Sequence, residues 1–212
     1  LAAGGDPENI GGENLIADGT YDRGKTASLG KQGINGWIWG LITLDSMAYE
    51  IPDGAFYSRE DIITEIISKE LSGGGFTLTG EVADPDITAM AIQSLAPYYN
   101  DEKTYEINGK SVSVREVIDR ALEKLSELQT ETLDKLYDYN ATRPTEGKKR
   151  EEILKNLFAE IGEGCYIEPP FHSNWAGKHV HFGKFVYANF NLTLVDDTHI
   201  YVGDYTMFGP NV

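Results

Sequence analysis

The sequence predicts an α + β protein: a helical segment over residues 1–129, then a solenoid of short strands wound as a three-sided coil. Three observations lead there. Between Phe182 and Val212 apolar side chains recur every six positions, at Phe182, Ala188, Leu194 and Ile200, and the register resets at Val202-Gly203-Asp204 and Phe208-Gly209-Pro210. Upstream, apolar residues recur at helical spacing in separate stretches divided by Gly-rich turns. The charge is uneven as well, with 10 basic and 22 acidic residues up to position 129 but 8 and 12 beyond it.

Residues 1–33 are rich in Gly and poor in apolar side chains, which predicts an irregular lead-in. From Asn35 to the neighbourhood of Tyr49, the residues Trp37, Ile38, Leu41, Ile42, Leu44 and Met47 predict a largely buried first helix. A second opens at Ser58, whose side chain can cap the amides near Asp61, carries Ile62, Ile63, Ile66 and Ile67, and stops at Ser72-Gly73-Gly74-Gly75. The third has Asp84 at its cap, Pro85 in the first turn and Asp86 beside the positive helix end, with Ile87, Met90, Ala91, Ile92 and Leu95 facing inward. A fourth follows Ser113, where Glu116 completes a capping box and Val117, Ala121, Leu122, Leu125 and Leu128 keep helical spacing. Between the last two, Tyr105 to Val112 predict a hairpin about Asn108-Gly109. Helices joined by Gly-rich turns predict part of an α/α toroid. The seam with the second half falls near Leu128-Gln129-Thr130-Glu131, inside one continuous helical stretch, and the helical lead-in of that half runs over 131–162. Within it, Lys148-Lys149-Arg150 opens a helix with Ile153, Leu154, Leu157, Phe158 and Ile161 on its apolar side, and the charges read as a solvated face.

The coils are expected over 163–212. A period of six is neither the helical 3.6 nor the strand alternation of two. It suits a solenoid in which each flat strand uses one hexapeptide and one apolar side chain per hexad points into the prism.

A net charge of −16 excludes nucleic acid and anionic membrane surfaces as partners, since both need basic patches. The single cysteine, Cys165, rules out an internal disulfide and argues against a thiolate metal site. No apolar run reaches the ~20 residues of a membrane span, and no signal peptide is visible. The chain starts with Leu1 rather than Met, which reads as a fragment or a mature product.

Three segments carry a family resemblance: Leu136-Tyr137-Asp138-Tyr139-Asn140-Ala141-Thr142-Arg143-Pro144, Cys165-Tyr166-Ile167-Glu168-Pro169-Pro170, and Tyr187-Ala188-Asn189-Phe190-Asn191-Leu192-Thr193-Leu194-Val195-Asp196-Asp197. From Thr132 to Val212 the chain resembles the galactoside and maltose O-acetyltransferases, whose fold is a left-handed parallel β-helix. The resemblance implies a cytoplasmic homotrimer that moves an acetyl group from acetyl-CoA to a sugar hydroxyl. It also implies that the general base, a histidine, lies a few residues beyond Val212, so that these residues are the N-terminal portion of such an enzyme and inactive alone. Asn35-Gly36-Trp37-Ile38-Trp39, Gly73-Gly74-Gly75-Phe76 and Asp84-Pro85-Asp86-Ile87-Thr88-Ala89-Met90-Ala91 resemble the prenyltransferase and squalene-oxidase-like repeat proteins. That likeness implies a ligand-binding or structural toroid module of an extracellular, bacterial cell-surface protein. The two implied compartments conflict, which leaves open an accidental join of two reading frames.

The transferase resemblance implies site residues. Asn189 matches an amide at the acetyl-transfer centre, where an N–H can stabilise a developing oxyanion. Asp197 matches an acceptor contact, since a carboxylate accepts hydrogen bonds from sugar hydroxyls, and Asn174 falls on an acceptor-pocket position in a loop of different length. The plainer alternative is that Asn189 and Asn191 satisfy coil corners while Asp196 and Asp197 cap a turn. Asp84-Pro85-Asp86 serves as a helix cap, because an alkene-protonating cyclase motif needs further carboxylates where Ile87 and Thr88 stand. Gly73-Gly74-Gly75 lacks the Lys-Ser/Thr of a phosphate loop and reads as a turn. The aromatic group Trp37, Trp39, Tyr98 and Tyr99 reads as core. His172, His179, His181 and His199 invite a zinc reading, but with no matching carboxylate or thiol position they are expected to hold no metal.

Overall fold

A computed structural model describes residues 29–46, 48–51, 55 and 57–212. Of the lead-in expected over residues 1–33, positions 1–28 lie outside them, as does Met47, and Leu29–Gln32 form a short 3-10 helix. The chain divides into two compact units, Leu1–Leu125 and Ser126–Val212.

In the first unit α1 is Ile34–Ser46, α2 Arg59–Ile67 and α3 Pro85–Leu95, and α4, Val114–Asn140, begins here and runs past the division. The hairpin expected about Asn108-Gly109 is present as β1 (Thr104–Ile107) against β2 (Lys110–Ser113), with Ile107 opposite Lys110. Helix α1 stops earlier than its apolar pattern does: Ala48 takes a left-handed φ of 48°, and the Tyr49 N–H returns to the Leu44 carbonyl at 2.8 Å. Ser58 and Asp61 cap α2 reciprocally, and the Ser58 N–H and hydroxyl hold the Asp61 carboxyl below its ordinary value. Asp84 accepts the Asp86 and Ile87 amides, and Ser113 and Glu116 make the box that opens α4.

One face is turned from where the apolar pattern put it. Helix α3 buries Pro85, Thr88, Ala91, Ser94 and Leu95, leaving Ile87, Met90 and Ile92 at the core margin. The Thr88 hydroxyl pairs with both the N–H and the carbonyl of Phe76, so a polar side chain holds the buried position by satisfying two backbone groups after the Gly73–Gly75 turn. Trp39, expected in the core, is 55% exposed, whereas Trp37 is buried edge-on to Tyr57.

The second unit holds the C-terminal part of α4, then α5 (Gly147–Leu157) and eight short strands: β3 Glu160–Ile161, β4 Tyr166–Ile167, β5 Phe171–Ser173, β6 Val180–Phe182, β7 Tyr187–Ala188, β8 Leu192–Leu194, β9 Ile200–Val202 and β10 Met207–Phe208. They fall in rotation into three parallel sheets, β3-β6-β9, β4-β7-β10 and β5-β8. Ile161 pairs with Phe182 and Phe182 with Val202, so one coil takes 21 and the next 20 residues. Parallel pairing thus begins at Glu160, ahead of position 163. Ile167, Phe171, Val180, Phe182, Ala188 and Leu192 fill the interior, with Phe158 of the lead-in against Phe171 and Phe182.

The register reset has a location. Successive inward residues are six apart where β6 leads to β7 and β7 to β8, but the third corner is longer, residues 174–179 in one coil and 195–199 in the next. Those two corner segments carry Asn174, Asp196 and Asp197.

Arg150, expected on a solvated face, is 5% exposed. Its guanidinium donates to the Thr142 hydroxyl (2.7 Å), the Thr142 carbonyl (3.1 Å) and the Tyr166 hydroxyl (2.9 Å). A planar fork can satisfy that divergent acceptor set, and it ties α5 to the first coil; Lys148 and Lys149 remain exposed.

Candidate functional site

The site is built on the long corner where sheet β5-β8 gives way to sheet β3-β6-β9. Asp196 organises it. Its fully buried carboxylate accepts the Ser173 hydroxyl at 2.5 Å, the Trp175 N–H at 2.7 Å and the Gly177 N–H at 2.9 Å. These three donors fold residues 173–177 around one oxygen pair, a loop that needs left-handed backbone at Ala176 (φ 56°) and Gly177 (φ 92°). The Asp196 carbonyl meets Nδ1 of buried His179 at 2.7 Å, so that histidine is engaged inside the corner.

Asn174 sits at the crest of the loop so fixed. Its side-chain amide donates to Asp197 Oδ1 at 3.0 Å, and its carbonyl accepts the Gln129 side chain at 3.2 Å. Both Asn174 and Asp197 are exposed. The pair presents a carboxylate and an amide side by side, a combination suited to the paired donor and acceptor character of adjacent hydroxyl groups. The two adjacent acids therefore divide the roles that the sequence left together: Asp196 caps the turn and Asp197 faces outward.

Asn189 stands at the other end of β8, in the corner after β7. Its backbone N–H bonds the Phe208 carbonyl at 3.2 Å, and its Oδ1 accepts the Phe190 N–H at 2.9 Å. Asn191 behaves as a ladder residue, in left-handed conformation (φ 60°) with its amide on Asn211 at 3.0 Å. Within one chain the fold brings Asn174 and Asp197 together and sets Asn189 across strand β8 from them.

Sequence reasoning missed one contributor. Gln129 carried no site signal, because it acts through a contact with the Asn174 carbonyl made from a distant segment. Among the described residues no cluster of three or more His, Cys, Asp or Glu side chains is arranged to hold a metal ion. No helix among them is long and apolar enough to cross a membrane.

Residues 120–162 match the family described as the maltose acetyltransferase hexapeptide capping motif. The galactoside O-acetyltransferase of Lactococcus lactis is 56% identical over 90 residues, 42% of this chain and 44% of that protein. The galactoside O-acetyltransferase of Escherichia coli is 43% identical over 77 residues, 36% of this chain and 37% of its own length. A solved galactoside acetyltransferase in complex with coenzyme A is 39% identical over 42% of this chain and 44% of its own, with a TM-score of 0.40. The chain spans less than half the length of these relatives. Its C-terminal part, a helical stretch followed by parallel strand sheets, is similar to the galactoside and maltose O-acetyltransferases of the hexapeptide-repeat class.

Proposed function

We propose that the second unit is the acceptor-holding portion of an acetyl-CoA-dependent O-acetyltransferase acting on a sugar hydroxyl, with its coils wound left-handed and three copies assembled. The observation that carries this reading is the Asn174–Asp197 pair, set on a corner loop that the buried Asp196 carboxylate shapes. Asp197 and Asn174 bind hydroxyls of the acceptor. The attacking sugar oxygen loses its proton to a general base as it adds to the thioester carbonyl; the tetrahedral oxyanion then collapses, breaking the carbon–sulfur bond, and the leaving thiolate takes up a proton. The Asn189 amide donates to that oxyanion. The resemblance puts the base, a histidine, downstream of Val212, so none of these three residues is assigned that task. The toroid reading of residues 1–129 stands beside this as a proposal resting on its three motifs alone.

The test extends the chain past Val212 with the remaining coils of the Lactococcus lactis relative and follows thiol release from acetyl-CoA with a galactoside. Asn189→Ala should lower kcat roughly a hundredfold, and Asp197→Ala should raise KM for the sugar about tenfold while acetyl-CoA saturation is unchanged. The unextended chain should release no thiol. Sugar-independent release, or variants that match the parent, would overturn the assignment.

A further inference from the structure

The four histidines singled out in the sequence do not stay together, and one of them stands beside the acceptor corner. His179, His181 and His199 lie on or next to sheet β3-β6-β9, whereas His172 is in β5, on the sheet that leads to Asn174 and Asp197. Sheet β5-β8 alternates cleanly between its two faces. Phe171, Leu192, Leu194 and Asp196 are buried, while His172, Asn174, Thr193, Val195 and Asp197 are exposed. The alternation runs on past the strand ends, so the acceptor pair shares its outer face with the strand residues that precede it.

Register fixes the order along that face. His172 lies opposite Thr193 and Ser173 opposite Leu194; the next step brings Asn174 and Val195, and the Asn174 amide reaches Asp197. From Asn174 back to His172 is two residues of extended chain, roughly 6.6 Å. That step is on the scale of a single sugar ring.

Polar groups on the two faces are used differently. Inside the corner, Ser173 donates to Asp196, and Asp196 accepts the Trp175 and Gly177 amides. On the outer face no other described residue engages the His172 ring or the Thr193 hydroxyl. Ring nitrogens and a hydroxyl supply donors and acceptors of the kind that sugar hydroxyls match. Between them and the acceptor pair lies Val195, 64% exposed. Sugars carry hydroxyls at ring edges and C–H groups on ring faces, so an apolar side chain flanked by polar ones suits them.

We propose that His172 and Thr193 form a second subsite of the acceptor site. A disaccharide sets one ring on Asn174 and Asp197 and the other on Thr193 and His172, with Val195 against the C–H groups between. The inference rests on the acceptor reading above and adds to it a preference for acceptors of two rings over one.

Titration of the chain with methyl β-galactoside and with lactose, followed by NMR of backbone amides and histidine rings, tests this. The monosaccharide should shift the Asn174 and Asp197 signals and leave His172 and Thr193 unmoved. Lactose should shift all four and bind roughly tenfold tighter, the gain from about one or two added hydrogen bonds. The double variant His172→Ala, Thr193→Val should lower lactose to the affinity of the monosaccharide, which it should bind as the parent chain does. Both positions are exposed, so neither truncation opens the core. Equal affinities for the two sugars in the parent, or His172 and Thr193 signals that stay still with lactose bound, would overturn the subsite and leave the acceptor reading standing. Two sugars that both leave Asn174 and Asp197 unmoved would overturn subsite and acceptor reading together. The parent-chain titrations need no variant to fold.

Discussion

A carboxylate taken out of water is tolerated only where its oxygens are met by donors, and Asp196 is met by three that belong to one short loop. Removing it leaves the Trp175 amide unpaired, leaves the Gly177 amide with only the Ser173 hydroxyl oxygen at 3.1 Å, and frees the crest that carries Asn174. Asp196→Ala should therefore destabilise the second unit by about 3 kcal/mol, read as a shift of its urea midpoint. Asp196→Asn should cost less, about 2 kcal/mol, because one oxygen still accepts while the new amide hydrogens confront existing donors. In both variants the Asn174 signal should lose dispersion by NMR; a native urea midpoint would show that the loop holds itself. The sequence made Asp196 and Asp197 look alike. Their difference is one of facing: a step of one residue at a coil corner turns one side chain into the prism and the next to solvent, and no local pattern at a corner says which.

Elements were more legible than single residues wherever their ends were chemically marked. Ser58, Asp84 and Ser113 announced three helix starts and Asn108-Gly109 a hairpin, because caps and tight turns are satisfied within a few positions. Faces decided by distant partners were not legible, as Thr88, Trp39 and Arg150 show. The lead-in helix gives the strongest case. Strand β5 has β8 on one side, and on the other Asn140 of α4 meets it, its amide donating to the Phe171 carbonyl at 2.8 Å and its oxygen accepting the Phe171 N–H at 2.9 Å. One side chain thus stands in for a missing strand and closes an edge that would otherwise invite pairing with another chain. Beside it the buried Tyr139 hydroxyl donates to the Ile167 carbonyl, and burial pushes that phenol up, so it remains a donor. Asn140→Ala strips both groups of Phe171 and should cost about 2 kcal/mol. Asn140→Asp keeps the acceptor and should fail to restore the carbonyl contact. Concentration-dependent association of the Asn140→Ala chain in sedimentation would confirm the exposed edge; a monodisperse chain of parent stability would show that α4 does not cap it.

At the scale of the molecule, burial falls into two clusters with no member in common. One gathers Ile38, Leu41, Ile63, Ile66, Phe76 and Leu95; the other gathers Tyr139, Phe158, Phe171, Phe182 and Leu192. The composition shift at residue 129 pointed to two parts, and the compact units divide four residues earlier, between Leu125 and Ser126, inside α4. Separate cores have a thermodynamic consequence, since a substitution reports only on the cluster whose contacts it removes. Leu41→Ala should cost about 3 kcal/mol and Phe171→Ala about 4 kcal/mol, each lowering a different transition in a calorimetric scan. The double variant should show both losses, additive to within roughly 0.5 kcal/mol. The two substitutions are told apart by which peak moves, whichever unit melts first. A single peak that shifts for either substitution would mean that the two clusters unfold as one cooperative body, and the chain would then have to be treated as one domain in spite of its two cores.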